Sequence, residues 1–323
     1  MARVYITYII PEAGQKMLEE AGHEVTVRED EDLISRKDII AALQEYEAVL
    51  PLLTDKLGAE EIAEAGDQLK VIANYAVGYD NIDVAEAAAR GIVVTNTPDV
   101  LTTAVAEHTV TLLLAIAKRI VEADTFTREG KYIGWRPQLL LGTELAGKTL
   151  GIVGLGRIGT EVAKRVHQGF DMKLAYNDLK PNDEFEQNFS ARYYAKLDEM
   201  LPNVDAVTLH VPLLDATRHL INKERLGAMK EGALLVNTSR GPVIDEEALV
   251  SALQNKEIRG AALDVFEDEP KLKPGLADLP NVILTPHIAS GTLETRSAMA
   301  ELAAKNIIAV LAGQEPPTPV KAT

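Results

Sequence analysis

The chain has 323 residues, of which 46% are hydrophobic and 25% charged, so its composition is that of a globular protein long enough for two domains. It contains no cysteine, which excludes disulfides, thiolate nucleophiles and cysteine-based zinc sites and fits a cytoplasmic location. The net charge of -16 repels phosphate backbones and anionic membranes, so we expect neither nucleic acid nor a membrane as a partner.

The N-terminal stretch MARVYITYII allows two interpretations, a signal peptide or a first β-strand. Pro11 and Glu12 end the apolar run early and no small-residue cleavage site follows, which favours the strand. The longest apolar helix candidate, residues 105–117, contains Glu107 and His108 and is too short and polar to span a bilayer.

The first hundred residues alternate short apolar runs with helical patterns, which is typical of β–α–β units and a parallel sheet. The predicted strands are residues 3–7, 25–27, 48–51, 71–74 and 93–95. The predicted helices are residues 11–21, 35–43, 59–65 and 84–89, with Ser35 as a candidate N-cap.

The polar segment TNTPDVLTT, residues 95–103, interrupts this alternation and has the composition of a domain crossing. One long helix is predicted after it, over residues 103–128. Residues 130–147 are irregular in pattern and contain the only tryptophan, Trp135.

A second alternating series begins at Lys148, so the predicted fold class is α/β with two parallel sheets. Its strands are predicted at residues 149–153, 173–177, 206–210, 233–237, 261–264 and 282–285. Its helices are predicted at residues 158–168, 198–201, 222–228 and 245–255, followed by a last helix at 293–311. The residues alone do not decide whether that helix caps the second sheet or returns to the first, and the proline-containing tail is expected to be a strap or frayed.

The segment KTLGIVGLGRIG leads a predicted strand directly into a glycine-rich turn and a helix. Gly154 permits the tight turn, Gly156 allows close approach of a pyrophosphate, and Gly159 allows the helix to pack on the strand. The helix N-terminus offers free N–H groups to phosphates, so the loop residues Leu155, Arg157 and Ile158 are also candidate contacts. The alternative is a tight turn without a nucleotide.

Asp178 lies 24 residues after Gly154, at the end of the next predicted strand. A carboxylate at this position binds the adenine ribose hydroxyls and repels a 2′-phosphate, which predicts NAD rather than NADP. The alternative is that Asp178 is an ordinary loop acid.

Three later strand ends carry chemistry that suits hydride transfer to a 2-oxo acid. Arg240 could bind a substrate carboxylate, and His287 could protonate the carbonyl oxygen as hydride arrives. A carboxylate near His287 would orient its ring, and Glu269 could serve, although the acids at 267–269 cannot be ranked from composition. The alternatives are that His287 is a structural histidine and that Arg240 forms an ion pair at the surface. The acids at 267–269 could also suggest a metal site, but no second group has ligand spacing with them, so we predict no metal.

These residues resemble the D-2-hydroxyacid dehydrogenases, most closely their glyoxylate/hydroxypyruvate reductase branch. The resemblance covers essentially the whole chain and rests on the glycine loop and on NYAVGYDNID, GIVVTNTPDVL, NTSRG, DVFEDEP and TPHIAS. It implies NAD-dependent, reversible reduction of a small 2-oxo acid to the D-2-hydroxy acid. It also implies His287 as the acid/base, Glu269 as its partner and Arg240 as the substrate anchor.

The resemblance implies further contacts. The backbone of Val77 and Gly78 would bind the substrate carboxylate. The cofactor site would include Asp264 at the carboxamide, together with Thr238, Ser239, His210, Val211 and Pro212.

The family's fold is two Rossmann-like doubly wound domains with the active site in the cleft between them. The implied boundaries are 1–99 plus 290–323 for the substrate domain and 100–289 for the NAD-binding domain. The last helix would return to the first domain, and a homodimer would form through the helix at 103–128.

The loop after the third strand, Pro51-Leu52-Leu53-Thr54-Asp55, lacks the arginine that phosphoglycerate dehydrogenases usually place there. A phosphorylated substrate is therefore disfavoured, and Leu52, Leu53 and Tyr75 would form a mostly apolar pocket wall. Asp178 departs from the NADP-using pattern of many glyoxylate reductases. Two alternatives remain: an NAD-sensing scaffold related to corepressors, and an imino-acid reductase on the same fold.

Overall fold

A computed structural model of the protein describes residues 1–30 and 32–321. The chain divides into two compact units. Unit 1 comprises Met1–Leu101 and Gly291–Thr323, and unit 2 comprises Thr102–Ser290. The described part of the chain contains no helix with the length and apolar content that a membrane crossing requires.

The strands, in chain order, are β1 (Arg3–Ile6), β2 (Glu24–Val27), β3 (Ala48–Leu50), β4 (Val71–Ala73), β5 (Val93–Thr95), β6 (Thr149–Val153), β7 (Lys173–Asn177), β8 (Arg192–Tyr193), β9 (Ala206–Leu209), β10 (Leu234–Asn237), β11 (Gly260–Leu263) and β12 (Val282–Leu284). The α-helices are α1 (Glu12–Glu20), α2 (Arg36–Glu45), α3 (Ala59–Ala63), α4 (Val84–Ala89), α5 (Thr102–Ala117), α6 (Ile120–Arg128), α7 (Arg157–Phe170), α8 (Asp183–Phe189), α9 (Leu197–Met200), α10 (Lys223–Ala228), α11 (Glu246–Gln254) and α12 (Leu293–Leu311). Short 3-10 turns cover Leu201–Asn203 and Gly241–Val243.

Unit 1 is a parallel five-stranded sheet in the order β2-β1-β3-β4-β5 with helices on both faces. The central strands are buried throughout, as expected for a parallel sheet covered on both sides. On one face, α2, α3 and α4 pack over Val49, Ile72 and Val94. The C-terminal helix α12 packs on α1 and β4.

Unit 2 is a parallel seven-stranded sheet in the order β12-β11-β10-β9-β6-β7-β8. Its two hydrophobic clusters lie on opposite faces. One contains residues of α5 and α7, and the other contains residues of α9, α10 and α11. Both units therefore have the predicted class, α/β with parallel sheets, which is confirmed.

Each sheet has one place where the strand order reverses. In unit 1 it lies between β1 and β3, and in unit 2 between β6 and β9. The loops that follow the carboxyl ends of these strands diverge there and leave a crevice in which ligands of open α/β sheets bind. The topology thus predicts that a ligand site lies at the carboxyl edge of each sheet, where the strand order reverses.

The single long helix predicted over residues 103–128 is wrong, because the chain forms α5 and α6 with a break at Arg119. Arg119 takes a left-handed conformation with φ of 56°. Thr143 N donates to Ala117 O at 2.7 Å, and Gly142 approaches the same carbonyl closely. The irregular segment after α6 therefore occupies the carbonyl that a continuing helix would need.

Two small elements were not predicted, the helix α8 and the edge strand β8. Both are short, and α8 is mostly polar, so neither has a periodic apolar pattern to reveal it. Asn182 caps α8 by accepting from Phe185 N. Ser35 accepts from Asp38 N, which confirms the predicted cap of α2.

The C-terminal tail forms an ordered strap along β5. Val320 N donates to Val94 O at 2.8 Å, and Thr318 is bound by the side chain of Asn306. The strap alternative is thus confirmed up to residue 321, and the last two residues lie outside the described part.

We predict that Gly14→Ala destabilises unit 1. A Cβ at this buried helical position would lie 2.6 Å from Ala300 O and 2.9 Å from Ala300 Cβ on α12. Overpacking of this kind costs about 1–3 kcal/mol, more than the gain in helix propensity of up to about 1 kcal/mol.

Gly169→Ala is the matched control, because Gly169 is an exposed helical glycine with nothing within 4 Å of an added Cβ. Thermal unfolding should show a lower midpoint for the first variant and an equal or higher one for the second. Equal midpoints for Gly14→Ala and the wild type would contradict the close packing of α1 on α12.

Candidate active site

The glycine loop lies at the strand-order reversal of unit 2, between β6 and α7. Gly154 has a φ of 91°, and a Cβ there would lie 2.9 Å from the carbonyl carbon of His210. A Cβ on Gly159 would lie 2.3 Å from Gly154 O, so both positions require glycine. Gly156 has open space around it and is the N-cap of α7. Open space before a free helix N-terminus fits a pyrophosphate.

Asp178 follows β7 and lies beside this loop. Its Oδ2 accepts a hydrogen bond from Leu155 N at 2.7 Å, and its Oδ1 accepts one from Leu179 N at 2.6 Å. The carboxylate therefore also anchors the glycine loop, a contact that sequence spacing could not reveal. Each oxygen keeps acceptor capacity for a ribose hydroxyl.

His210 directly follows the neighbouring strand β9, and it and Val211 pack against Gly154. Its Nε2 is buried without a hydrogen-bond partner among the described residues. Burial lowers the pKa of His210 to about 3, so its ring is neutral. Pro212 follows in the same loop and accepts from the Thr217 hydroxyl. A buried ring nitrogen without a partner is consistent with a polar ligand group in this crevice.

The loop after β10 holds Arg240 in place through Asn237, whose side chain is fully buried. Asn237 Nδ2 donates to Arg240 O at 2.9 Å, while its Oδ1 accepts from Ser239 N and Ser239 Oγ. Thr238 is bound to Thr109 of α5 through their hydroxyls, 2.8 Å apart. Arg240 is partly exposed, and its Nη1 donates to Ser239 O.

The loop after β11 passes against the Arg240 loop with no room for a side chain between them. A Cβ on Gly241 would lie 1.8 Å from the carbonyl carbon of Phe266 and 2.4 Å from Glu267 N. The residue after Arg240 must therefore be glycine, and the two loops are held in contact. This contact fixes the position of Arg240 relative to the acidic segment 267–269.

Of the three acids of that segment, Glu267 and Asp268 share Lys273, at 3.4 and 2.7 Å, and only Glu269 pairs with His287. Glu267 also binds His219 at 2.7 Å. Glu269 Oε2 lies 3.0 Å from Nδ1 of His287, while its Oε1 accepts from Phe266 N at 2.9 Å. The structure therefore pairs Glu269 with His287, a ranking that composition could not provide.

His287 takes a left-handed conformation with φ of 54°, which is unusual for a residue with a side chain. Its N–H is shared between Asp264 O at 2.9 Å and Thr285 O at 3.0 Å. Because Nδ1 faces the Glu269 carboxylate, Nε2 is the ring nitrogen directed away from that carboxylate. Within the described residues, Nε2 has no hydrogen-bond partner.

In unit 1, the segment 74–78 follows β4, and the N–H groups of Asn74 and Tyr75 donate to Thr95 O and Pro51 O. The carbonyls of Val77 and Gly78 accept from the side chains of Asn96 and Asn74, each at 2.8 Å. Within residues 1–30 and 32–321, neither Val77 N nor Gly78 N donates to another atom of the chain. Two adjacent free N–H groups form an anion-binding arrangement. Leu53 lies half-buried in the loop after the adjacent strand β3.

The model of the D-isomer specific 2-hydroxyacid dehydrogenase, NAD binding domain, matches residues 110–289, more than half of the chain. Over 319 residues the chain is 52% identical to a glyoxylate reductase from Thermofilum pendens, covering 98% of this chain and 93% of that one. A glyoxylate reductase from Pyrococcus furiosus is 48% identical over 320 residues, with 98% and 94% covered.

The chain belongs to the D-isomer-specific 2-hydroxyacid dehydrogenases. It also resembles a crystal structure of an NADPH-dependent glyoxylate/hydroxypyruvate reductase from Sinorhizobium meliloti in complex with NADP and malonate. The TM-score is 0.86 at 36% identity, covering 98% of this chain and 96% of the other. The dehydrogenase is thus an oxidoreductase whose unit 2 is an NAD-binding domain, and the predicted family, enzyme class and cofactor are confirmed.

Asp264 has a role in this dehydrogenase that the sequence did not indicate. Its carboxylate is fully buried and accepts from the Thr285 hydroxyl at 2.6 Å and from the N–H groups of Ile288 and Ala289. Burial alone would raise the pKa of Asp264, but the hydrogen bonds from His108, Thr285 and these N–H groups hold it below its usual value. The ionised carboxylate thus holds the loop that carries His287.

Two further residues of the dehydrogenase were missed. His108 stands in the apolar helical segment 105–117, and its Nε2 lies 3.3 Å from both Asp264 Oδ1 and Thr285 Oγ1. Glu246 is 1% exposed, and its Oε1 accepts from Glu267 N at 2.8 Å while its Oε2 has no partner among the described residues. Both lie on helices with no local signal, because only the fold brings them to the strand ends.

We predict that Glu246→Gln increases stability more at high pH than at low pH. Burial, opposed by the hydrogen bond from Glu267 N, raises the pKa of Glu246 from 4.5 to about 7. The folded state therefore binds more protons than the unfolded state between these values, so wild-type stability falls as pH rises through this window. Glutamine does not titrate, so this loss is absent in the variant.

Thermal unfolding at about pH 5 and about pH 8 measures the effect as the difference between the midpoints of variant and wild type. That difference should be more positive at the higher pH. Glu247→Gln, at the exposed neighbouring position, is the control and should show little change with pH. A difference for Glu246→Gln that stays constant or falls with rising pH would contradict the prediction.

Proposed function

We propose that the protein reduces glyoxylate, hydroxypyruvate or a similarly small 2-oxo acid to the D-2-hydroxy acid with NADH, and catalyses the reverse reaction. The observation that carries the proposal is the His287–Glu269 contact of 3.0 Å at the carboxyl edge of the NAD-binding sheet. It leaves Nε2 of His287 for the substrate. The glyoxylate reductase names of relatives at 52% and 48% identity support the substrate class.

His287 acts as the general acid and base. When bound, NADH supplies a hydride for C2 of the 2-oxo acid, and negative charge then develops on the carbonyl oxygen. His287 in its protonated form donates the Nε2 proton to that oxygen and takes it back in the reverse direction. Because Nδ1 is paired with the Glu269 carboxylate, Nε2 is the nitrogen that exchanges its proton with the substrate.

Arg240 supplies the local positive charge that a small anion needs on a chain of net charge -16. Its guanidinium can bind a carboxylate through two parallel hydrogen bonds. In unit 1, the free N–H groups of Val77 and Gly78 are proposed donors to a substrate carboxylate. Leu53 contributes an apolar wall for the substrate side chain, and the lack of an arginine in its loop disfavours a phosphorylated substrate.

The cofactor contacts follow the glycine loop. The pyrophosphate binds at the start of α7, from Gly156 to Gly159, beside Leu155, whose N–H is held by Asp178, and Asp178 binds the adenine ribose. The loops at His210–Pro212 and at Thr238–Ser239 line the same crevice. The contact of Asp264 with the nicotinamide carboxamide stays a prediction. Because Asp178 repels a 2′-phosphate, we propose NAD over NADP, unlike the NADP-bound relative from Sinorhizobium meliloti.

The test of the proposed function is a panel of 2-oxo acids offered to the purified protein with NADH and with NADPH. We expect oxidation of NADH, followed by its near-ultraviolet absorbance, with glyoxylate or hydroxypyruvate. A preference for NADPH would contradict only the role of Asp178 in selecting NADH, and the proposed reaction would stand. Binding of NADH without turnover of any acid would overturn the proposal and favour a scaffold or an imino-acid reductase.

His287→Ala should lower kcat by about 10²–10⁴-fold, the usual contribution of a general acid. NADH affinity, measured by fluorescence titration, should change little, because the contacts proposed for the cofactor lie on other loops. His23→Ala is the control, since His23 precedes β2 in unit 1, at the amino end of that strand. Unchanged turnover in His287→Ala would exclude this residue as the acid.

We propose that two copies form a homodimer through the segment 103–128, now seen as α5 and α6. The support is the exposed apolar surface on and after α6, which contains no buried residue. Ile120, Val121, Tyr132, Ile133 and Trp135 are between 48% and 80% exposed. Apolar side chains concentrated in one segment are typical of a protein interface.

The cytoplasmic location of the protein stays a prediction.

Sedimentation equilibrium should give a mass of twice the 35.0 kDa of one chain. Val121→Arg should weaken the dimer at least about tenfold, because it buries an unpaired charge in the interface. Leu33→Arg, at an exposed leucine of unit 1, should leave the mass unchanged. A wild-type mass of one chain would contradict the dimer.

A further inference from the structure

A cluster of buried and half-buried polar side chains connects the loops that follow β1, β3 and β4 in unit 1. These strands are neighbours, and the strand order reverses between β1 and β3. The loops carry Leu53, Val77 and Gly78, to which the proposed function assigns substrate contacts. Nothing in that function uses the polar side chains behind them.

Asn81 connects the β3 loop to the β4 loop. Its Nδ2 donates to Leu52 O at 3.2 Å and to Asp55 O at 3.1 Å, the two carbonyls on either side of Leu53 and Thr54. It also lies 3.2 Å from Oδ1 of Asn74. The backbone carbonyl of Asn81 accepts from Leu57 N at 2.8 Å, so the two loops are joined again just beyond.

Asn74 continues the connection to the anion-binding segment. It is fully buried, and its Nδ2 donates to Gly78 O at 2.8 Å and to Asn81 Oδ1 at 3.1 Å. This bond orients the Gly78–Tyr79 peptide, while the peptide that carries the Gly78 N–H is held through its Val77 carbonyl by Asn96 Nδ2 at 2.8 Å. One pair of amides thus binds both the Leu53 loop and the Val77–Gly78 segment.

Thr7 and Asp55 hold the other side of the Leu53 loop. The Thr7 hydroxyl, just after β1, donates to Asp55 Oδ2 at 2.5 Å, and Leu52 N donates to the same oxygen at 2.8 Å. This bridge spans the strand-order reversal between β1 and β3. The loop is therefore bound from both neighbouring strands, through its carbonyls on one side and through Asp55 on the other.

We propose that Asn81 and Asn74 are positioning residues that set which 2-oxo acid side chain the enzyme accepts. The inference rests on the proposed function. The Val77–Gly78 N–H groups bind the carboxylate and Leu53 limits the side chain, so the separation of these two loops defines the space at C3 of the substrate. The amide pair fixes that separation. A carboxylate at 81 would have no donor for the three oxygens that Asn81 Nδ2 now faces.

A positioning role and a purely structural role of Asn74 and Asn81 predict different kinetics. If the pair only supported the fold, its loss would lower the fraction of active protein and reduce kcat equally for every substrate, with unchanged KM. If it sets the loop separation, KM rises, and it rises most for the acid whose fit is tightest. Cofactor affinity belongs to unit 2 and should be the same in either case.

The experiment compares Asn81→Asp and Asn74→Asp with the wild type on glyoxylate, which has no side chain, and on 2-oxo acids with methyl, ethyl or isopropyl groups. We expect KM for the preferred acid to rise about tenfold or more, which is the loss of affinity usual when hydrogen bonds of this kind are removed. We expect the ratio of kcat/KM between the preferred acid and the isopropyl acid to fall at least about fivefold. NADH affinity by fluorescence should stay within about twofold.

Asn255→Asp, the same substitution at an exposed position of unit 2, is the control and should keep wild-type KM and selectivity. If the aspartate variants do not fold by circular dichroism, Thr7→Val provides the test, because it removes the hydroxyl bonds to Asp55 Oδ2 and Leu50 O without adding a charge and should lower selectivity in the same direction. A uniform loss of kcat, with KM and selectivity unchanged, overturns this inference alone. A wild type that reduces none of these acids overturns the proposed function and the inference with it.

Discussion

The buried carboxylate of Asp264 is the interaction on which the candidate site in unit 2 depends. It directly follows β11 and accepts from a hydroxyl and two backbone N–H groups of the loop after β12. That loop contains His287 in a left-handed conformation, which an isolated chain would seldom adopt. A carboxylate in the interior must be fully hydrogen-bonded to remain ionised, and the bonds that satisfy it are the ones that shape the loop. Stability and the placement of the histidine therefore have the same origin.

The second constraint is the close contact between loops at the strand ends. Gly154 touches the chain at His210, and Gly241 touches Phe266 and Glu267, at distances that leave no space for a Cβ. Parallel strands end at the same edge of the sheet, so successive loops compete for the same volume. Glycine at these positions lets Arg240 and the His287–Glu269 pair be placed by neighbouring strands without long connections. Glu246 supports the same contact from α11.

Unit 1 achieves positioning with neutral groups where unit 2 uses a carboxylate. Asn74, Asn81 and Asn96 donate to carbonyls of the loops, and this leaves backbone N–H groups free. Asparagine side chains at these positions suit an anionic ligand, because amides add no negative charge to a chain whose net charge is already -16. The buried carboxylate of Asp55 is the exception, and it is directed to Thr7 and Leu52.

The sequence by itself determined the fold class, most strand positions, the glycine loop and the family, because these depend on local periodicity and on glycines at fixed spacing. It predicted β5, β6 and β7 to the residue. It could not place the break at Arg119, since the carbonyl of Ala117 is taken by Thr143 from a distant segment. It could not rank Glu267, Asp268 and Glu269, or recognise His108, Asn81 and Glu246, because their partners lie on other strands and helices. Only the tertiary structure decided these, since hydrogen bonds between strand-end loops depend on which strands are neighbours in the sheet, and no local pattern of residues records that order.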